Sequence, residues 1–236
     1  MQIKVNPNQI GMAFLSVVTV LAVINGVLLF FYFYLGDDHL FGLVDHFDLA
    51  IEGNVPTLYS AVAILSCSAL LALITHINWR KPDANRFYWL GLTILFLFLG
   101  IDEGTAIHEQ IGSFLDNYFD ARGALYFFWV VPYGIATLSL GLVYLKFVWT
   151  LPADTRWRFV LAGVMFLSGA LGIEMLGARE ADLHDTTTLT YSILYSLEEM
   201  LEMLGIVVFI HALLRHLARE TGGFTITLEL GENSPS

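Results

Sequence analysis

Six apolar stretches, at about 12–35, 57–77, 87–113, 125–148, 158–178 and 189–214, each run for roughly the 18 to 25 residues that a helix needs to cross the hydrocarbon core of a bilayer. Nothing else in the chain restricts its fold as severely. No water is available inside a bilayer to satisfy a free amide or carbonyl, so each run must close its own backbone hydrogen bonds as a helix. The expected fold is an all-α integral membrane protein, a six-transmembrane-helix bundle over residues 1–220 with a tail at 221–236. The amino-acid usage agrees: 56% of residues are hydrophobic and 14% charged, where an average soluble domain has about 25% charged residues.

The cations set the expected orientation. If the spans alternate, Lys4, Arg80, Lys81, Arg86, Lys146, Arg156, Arg158, Arg215 and Arg219 fall on one side, and only Arg122 and Arg179 on the other. The positive-inside rule makes the first side, and with it both termini, cytoplasmic. The membrane would then be a bacterial inner membrane, with the acidic loops carrying Asp37, Asp38, Asp45, Asp48, Asp116, Asp120, Asp182 and Asp185 facing the periplasm. Between the first two spans, Leu40 to Glu52 has Asp45, Asp48 and Glu52 on one helical face and Leu40, Leu43, Val44, Phe47 and Ile51 on the other. That pattern predicts a short interfacial helix lying flat on the outer surface. Asn54 and Pro56 predict a cap and first turn for the second span. In the tail, Phe224 to Leu230 alternates weakly in the manner of a strand.

Against this apolar background the acids stand out. Asp102, Glu103, His108 and Glu109 lie on the third span, Glu174 on the fifth, and Glu198, Glu199 and Glu202 on the sixth. An ionisable residue near the centre of a bilayer costs about 2.5 to 3.5 kcal/mol on insertion scales, so such groups face a protein interior and need a compensating partner. Few fixed cations are at hand, which leaves a bound metal or shared protons. On the sixth span Tyr191, Tyr195, Glu198, Glu199 and Glu202 share an arc of about 100° at the helical period. On the third span Asp102 and Glu109 are nearly eclipsed, His108 is at the edge of their face, and Glu103 points away unless the helix is distorted near Gly104. Glu174 sits among Gly169, Ala170, Gly172 and Gly177, small residues that let helices approach closely.

These donors predict a metal site in the outer half of the bundle. His108, Glu109, Glu174, Glu198 and Glu202 are the expected ligands; Glu199, Asp102 and Tyr195 are the expected catalytic or bridging groups. Carboxylates with one imidazole suit iron, with manganese or zinc as alternatives, and argue against a thiolate copper centre. The donor types are, by chemical analogy, those of ferritin-like di-iron bundles, but the Glu-x-x-His spacing of those bundles is absent. The expected activity is that of a metal-dependent membrane oxidoreductase acting on a lipid-soluble small molecule; bound zinc would instead imply hydrolysis.

Two other readings use the same residues. One is a transporter of divalent cations or protons, for which Asn25, Ser66 and Ser68 would supply the inner half of a path. The other is a non-catalytic subunit, or homo-oligomer partner, of a membrane complex in which the acids stay protonated. Haem is disfavoured, with His76 and His211 as a conceivable axial pair; His46 or His184 could serve as a lid ligand. A net charge of −11 and the lack of phosphate-binding loops exclude nucleic acid as a partner. The single cysteine, Cys67, excludes an internal disulfide.

Overall fold

The computed structural model describes residues 2–4, 6–36, 40–80, 85–115, 117–223 and 225–227. Lys81, Asp37, Asp38, His39, Asp116 and the tail beyond 227 lie outside the described residues. The helices are α1 (Pro7–Phe30), the single turn α2 (Val44–Phe47), α3 (Val55–Trp79), α4 (Arg86–Thr105), α5 (Ile107–Leu115), α6 (Val130–Thr150), α7 (Ala153–Leu167), α8 (Glu174–His184) and α9 (Leu189–Thr221). A widened π turn, Phe31–Leu35, extends α1, and another, Ser168–Ile173, joins α7 to α8. Two three-residue strands, β1 (Gln2–Lys4) and β2 (Thr225–Thr227), pair antiparallel. That pairing brings the start of α1 and the end of α9 to the same end of the bundle.

Among the described residues, five stretches are long and apolar enough to cross a membrane: Pro7–Leu35, Val55–Trp79, Arg86–Thr105, Val130–Thr150 and Ala153–His184. The sixth expected span falls in α9, which is not among these five. At 33 residues α9 is the longest helix among the described residues, and α1, α3 and α7 pack around it. Its second half carries the core, with Ile210, Ala212, Leu213 and Leu217 buried against Cys67, Leu71 and Ile74 of α3, Trp89 of α4 and Phe147 of α6. In a bilayer such packing rests on close van der Waals fit, because lipid tails are as apolar as the side chains. Gly205 on α9 shows how close that fit is: a Cβ there would lie 2.8 Å from the Phe166 backbone nitrogen of α7. Outward faces such as Leu138 and Leu142 of α6 are exposed, as expected of surfaces that meet lipid.

The cap of α3 forms as the sequence predicts: Asn54 accepts the Thr57 amide at 3.2 Å, and Pro56 opens the helix. The interfacial helix does not form as expected. Only Val44–Phe47 is α-helical, because Leu40, Phe41 and Gly42 take positive φ and Asp48 is extended. The segment folds back onto the bundle. Leu49 is buried, its amide donating to Asn25 of α1 at 3.2 Å, and Asp48 accepts the Tyr195 hydroxyl of α9 at 2.9 Å.

Candidate metal centre

The third span is not a continuous helix to residue 113. It stops at Thr105, and Ala106 takes the left-handed conformation (φ 52°, ψ 43°) before α5 begins. Such a break exposes carbonyls at the end of one helix and amides at the start of the next. Side chains take up one group from each set. The Asp102 carboxylate accepts the His108 amide at 2.8 Å, and the Gln110 side chain donates to the Thr105 carbonyl at 2.8 Å. The turn sets α5 at a new angle and returns the His108 ring towards the end of α4.

His108 thereby stands between two carboxylates. Its Nε2 is 3.3 Å from Glu52 Oε1, and its Nδ1 is 3.5 Å from Asp102 Oδ1. The ring also lies 4.9 Å from Trp129 and 6.3 Å from Tyr133. α5 starts beyond the span formed by α4. Burial alone would lower the imidazole's pKa, but hydrogen bonds to Asp102 and Glu52, together with their charge, lift it to about 11. Burial and the neighbouring Glu52 raise the Glu109 carboxyl above the usual range, against the pull of His108. One donor atom each from Glu52, His108 and Glu109 falls within a 4.8 Å set. A metal held at about 2.0 to 2.2 Å keeps any two donors within about 4.4 Å, so small rotations would suffice to close the set around an ion.

The second group of acids comes from α8 and α9. The π turn at Ser168–Ile173 ends directly at Glu174, and π turns recur where a helix presents functional groups. Glu174 accepts the Trp129 indole N–H at 3.0 Å and is within hydrogen-bond reach of Glu198. Gly169 makes this approach possible, since a Cβ there would sit 2.7 Å from the Glu198 carbonyl and 3.0 Å from Glu202 Cγ. Glu199 and Glu202 interact electrostatically with Glu103, His108 and Glu174. Glu103 in turn hydrogen-bonds Ser60 of α3.

An open cavity of about 720 Å³ is lined by Glu52, His108, Glu109, Glu174, Glu198 and Glu199, among others. Glu202 and Glu103 lie just beneath it, sharing a small void with Ser60. Every acid singled out in the sequence thus belongs to one neighbourhood. Asp102 acts through the backbone and ring of His108. Tyr195 lines the cavity but spends its hydroxyl on Asp48, so here it fastens the 48–54 segment. Glu103, which an unbroken helix turns away, belongs to the group through its contacts with α3 and α9. Glu52 had no place in the expected ligand set, and its Oε2 is buried without a partner.

Other expected participants are elsewhere. His46 is exposed, and His184 pairs with Glu180 at 3.1 Å, so neither reaches the cavity as a lid ligand. His211 hydrogen-bonds Asn8 at 2.9 Å, and His76 is exposed. Asn25 donates to Ser196 at 2.8 Å at the acidic end, not in an inner half-path. Ser66 and Ser68 bond backbone carbonyls of Val62 and Thr93. No Lys or Arg among the described residues forms an ion pair with the clustered acids; Arg122 is held by Asp120 and Asp182.

A family model described as a domain of unknown function, DUF8692, matches residues 11–217. The chain belongs to that family. The matched residues run from α1 to the last turns of α9 and include every acid of the cluster as well as His108. No curated protein and no solved structure matches the chain.

Proposed function

We propose that this chain is a membrane metalloprotein that binds one or two hard or borderline cations at the acidic end of a six-span bundle. The observation that carries the reading is His108 held between Glu52 and Asp102, with Glu109 completing a donor set 4.8 Å across. Glu174, Glu198, Glu199, Glu202 and Glu103 stand on the facing side as donors to a second ion or as bridges. Carboxylates in such excess over cations repel one another unless a guest charge or shared protons intervene. Oxygen donors with one imidazole suit iron, then manganese or zinc. Bound iron would supply oxygen or electron chemistry, and the protein's residues would hold it beside a lipid-soluble substrate.

The topology of the proposal has both termini in the cytoplasm of a bacterial cell and α9 as the sixth span. Arg80, Arg86, Arg156, Arg158, Arg215 and Arg219 gather at the end where β1 meets β2, which supports that orientation through the positive-inside rule. The packed core below Glu202 speaks for a dead-end site over a conduit: Ile206, Val207, Phe209, Ile210 and Leu213 are buried there. The test is elemental analysis of protein purified without chelator. Wild type should carry iron, manganese or zinc, and Glu109→Ala and Glu202→Ala should each lose it. Unchanged metal stoichiometry in both variants would refute the site, and cation flux in proteoliposomes would refute the dead end.

A further inference from the structure

Below the acidic cavity lies a second one, of about 330 Å³, bounded by α4, α6, α7 and α9. Its walls include Phe96, Leu99, Tyr144, Phe166, Leu171 and Phe209. This space is framed, not left over from loose packing, because α6 is clamped at both ends of it. At the basic end the Tyr144 hydroxyl donates to the Tyr88 carbonyl at 3.1 Å, and the Phe147 ring stacks on Tyr88 and meets Trp89 edge-on, with centroids 5.1 and 4.9 Å away. At the acidic end Trp129 and Tyr133 pack about His108. Between the clamps the walls are cut back to glycine: a Cβ added at Gly141 or Gly163 would meet nothing within 4 Å. On the neighbouring α7–α9 contact the same addition at Gly205 would collide with backbone.

Trp129 borders both cavities. Its indole N–H is committed to Glu174 while its ring closes the top of the apolar space, so one side chain separates hydrocarbon from carboxylates. From Tyr133 to Val148 the crevice follows α6 for about 22 Å at 1.5 Å per residue. One leaflet of a bilayer supplies about half of the 30 Å hydrocarbon core, so a chain of that reach fits lengthwise. The cavity volume is also in the range of pockets that enclose small ligands.

Resting on the metal-site reading, we propose that this crevice binds the hydrocarbon chain of a membrane-dissolved amphiphile, whose polar or reactive end meets the acidic cluster at Trp129. The chain enters from the lipid-facing side between α6 and α7. The acidic cavity then receives the head, and the class of substrate is a single-chain lipid, such as a fatty acid or an isoprenoid alcohol.

A long-chain fatty acid carrying a diazirine at mid-chain tests this directly. The purified protein in detergent is irradiated with the probe, and adducts are mapped by peptide mass spectrometry. Adducts should fall on Phe96, Phe166 and Phe209, the last only 7% exposed. They should be competed away by unlabelled fatty acid and lost in Gly163→Leu and in Gly141→Phe, which block opposite walls. Adducts confined to outward positions such as Leu138 and Leu142, or insensitive to competitor, overturn the proposal; the wild-type map decides this even if a blocked variant fails to fold. Metal analysis of the same sample separates the two readings. Competed labelling in metal-free protein sinks the metal site and leaves the crevice, whereas metal without competed labelling does the reverse.

Discussion

The two ends of the bundle treat the helix differently. Towards the basic end α3, α4 and α9 run without interruption, and Leu71, Ile74, Leu213 and Leu217 interlock with almost no exposed surface. Towards the acidic end the helices are repeatedly disturbed: a π turn at Phe31–Leu35, a left-handed residue at Ala106, a second π turn at Ser168–Ile173 and a folded-back segment around Asp48. Regular helices pack well but fix every side chain's direction at 100° intervals. Breaks release that constraint, and here they stand next to His108, Glu109 and Glu174. The contrast teaches that packing and presentation of charge have been assigned to separate halves of the same helices.

The most severe way to break the comparison is to fill the closest approach at the acidic end. Gly169→Val would drive a side chain into the Glu198 carbonyl and Glu202, with backbone on one side that cannot rotate away. Overpacking of this kind costs about 1 to 3 kcal/mol, but the greater effect is on the site, because α9 must shift away from Glu174. Metal titration should show binding lost. Gly172→Ala, three residues on in the same π turn and with nothing within 4 Å of its Cβ, should bind as wild type. Equal metal affinity in the two variants would mean the carboxylates do not depend on that contact.

Truncation in the other half should do the opposite. Leu213 is fully buried, and Leu213→Ala should cost about 2 to 5 kcal/mol of stability in a denaturant titration while leaving metal stoichiometry intact. Loss of metal in the folded variant would show that the halves are not separable. A smaller effect links them. Asn25 accepts the buried Leu49 amide and donates to Ser196, so Asn25→Ala should cost about 1 to 3 kcal/mol through the unmet amide. Hydrogen exchange should quicken over residues 48–54, and metal affinity should fall because Glu52 is carried on that segment. Unchanged exchange there would mean Asn25 is not the fastener.

The sequence makes the packing half legible and the presenting half only partly so. Apolar runs overlap α1, α3, α4, α6, α7 and α9, because the run length is set by the bilayer and not by tertiary detail, but the third run overshoots α4 by eight residues and the fifth overshoots α7 by eleven. The acids are legible as a group for a related reason: each is costly where it stands, so their meeting is expected before any contact is seen. The break at Ala106 has no local signal. Alanine is the best helix former, and Gly104, the natural suspect, stays inside α4. Without the break Glu103 is read as pointing away and His108 as sitting at the edge. Glu52 is missed for another reason: its alternating faces fit an interfacial helix, and only the tertiary bonds through Asn25 and Tyr195 pull the segment inward. A lone acid two residues before the Asn54 cap, with no cation near in sequence, was the available hint.

The least perturbing experiment puts one substitution into both halves. Ala212 is buried within α9, where Ala→Gly removes a methyl group and adds chain entropy to the unfolded state, costing about 1 kcal/mol. Ala106 sits at φ 52°, where an L-residue pays about 1 to 2 kcal/mol that glycine does not. Against this, glycine's greater freedom in the unfolded chain returns about 0.5 to 1 kcal/mol. Ala106→Gly should therefore be neutral or stabilising by up to about 1.5 kcal/mol, in contrast to the loss in Ala212→Gly, when both are unfolded under the same conditions. Metal binding should survive in each, since Asp102 still caps α5 and the turn is made easier, not removed. If Ala106→Gly instead destabilises as Ala212→Gly does, residue 106 is helical in solution, the third span is continuous, and His108 cannot stand between Asp102 and Glu52.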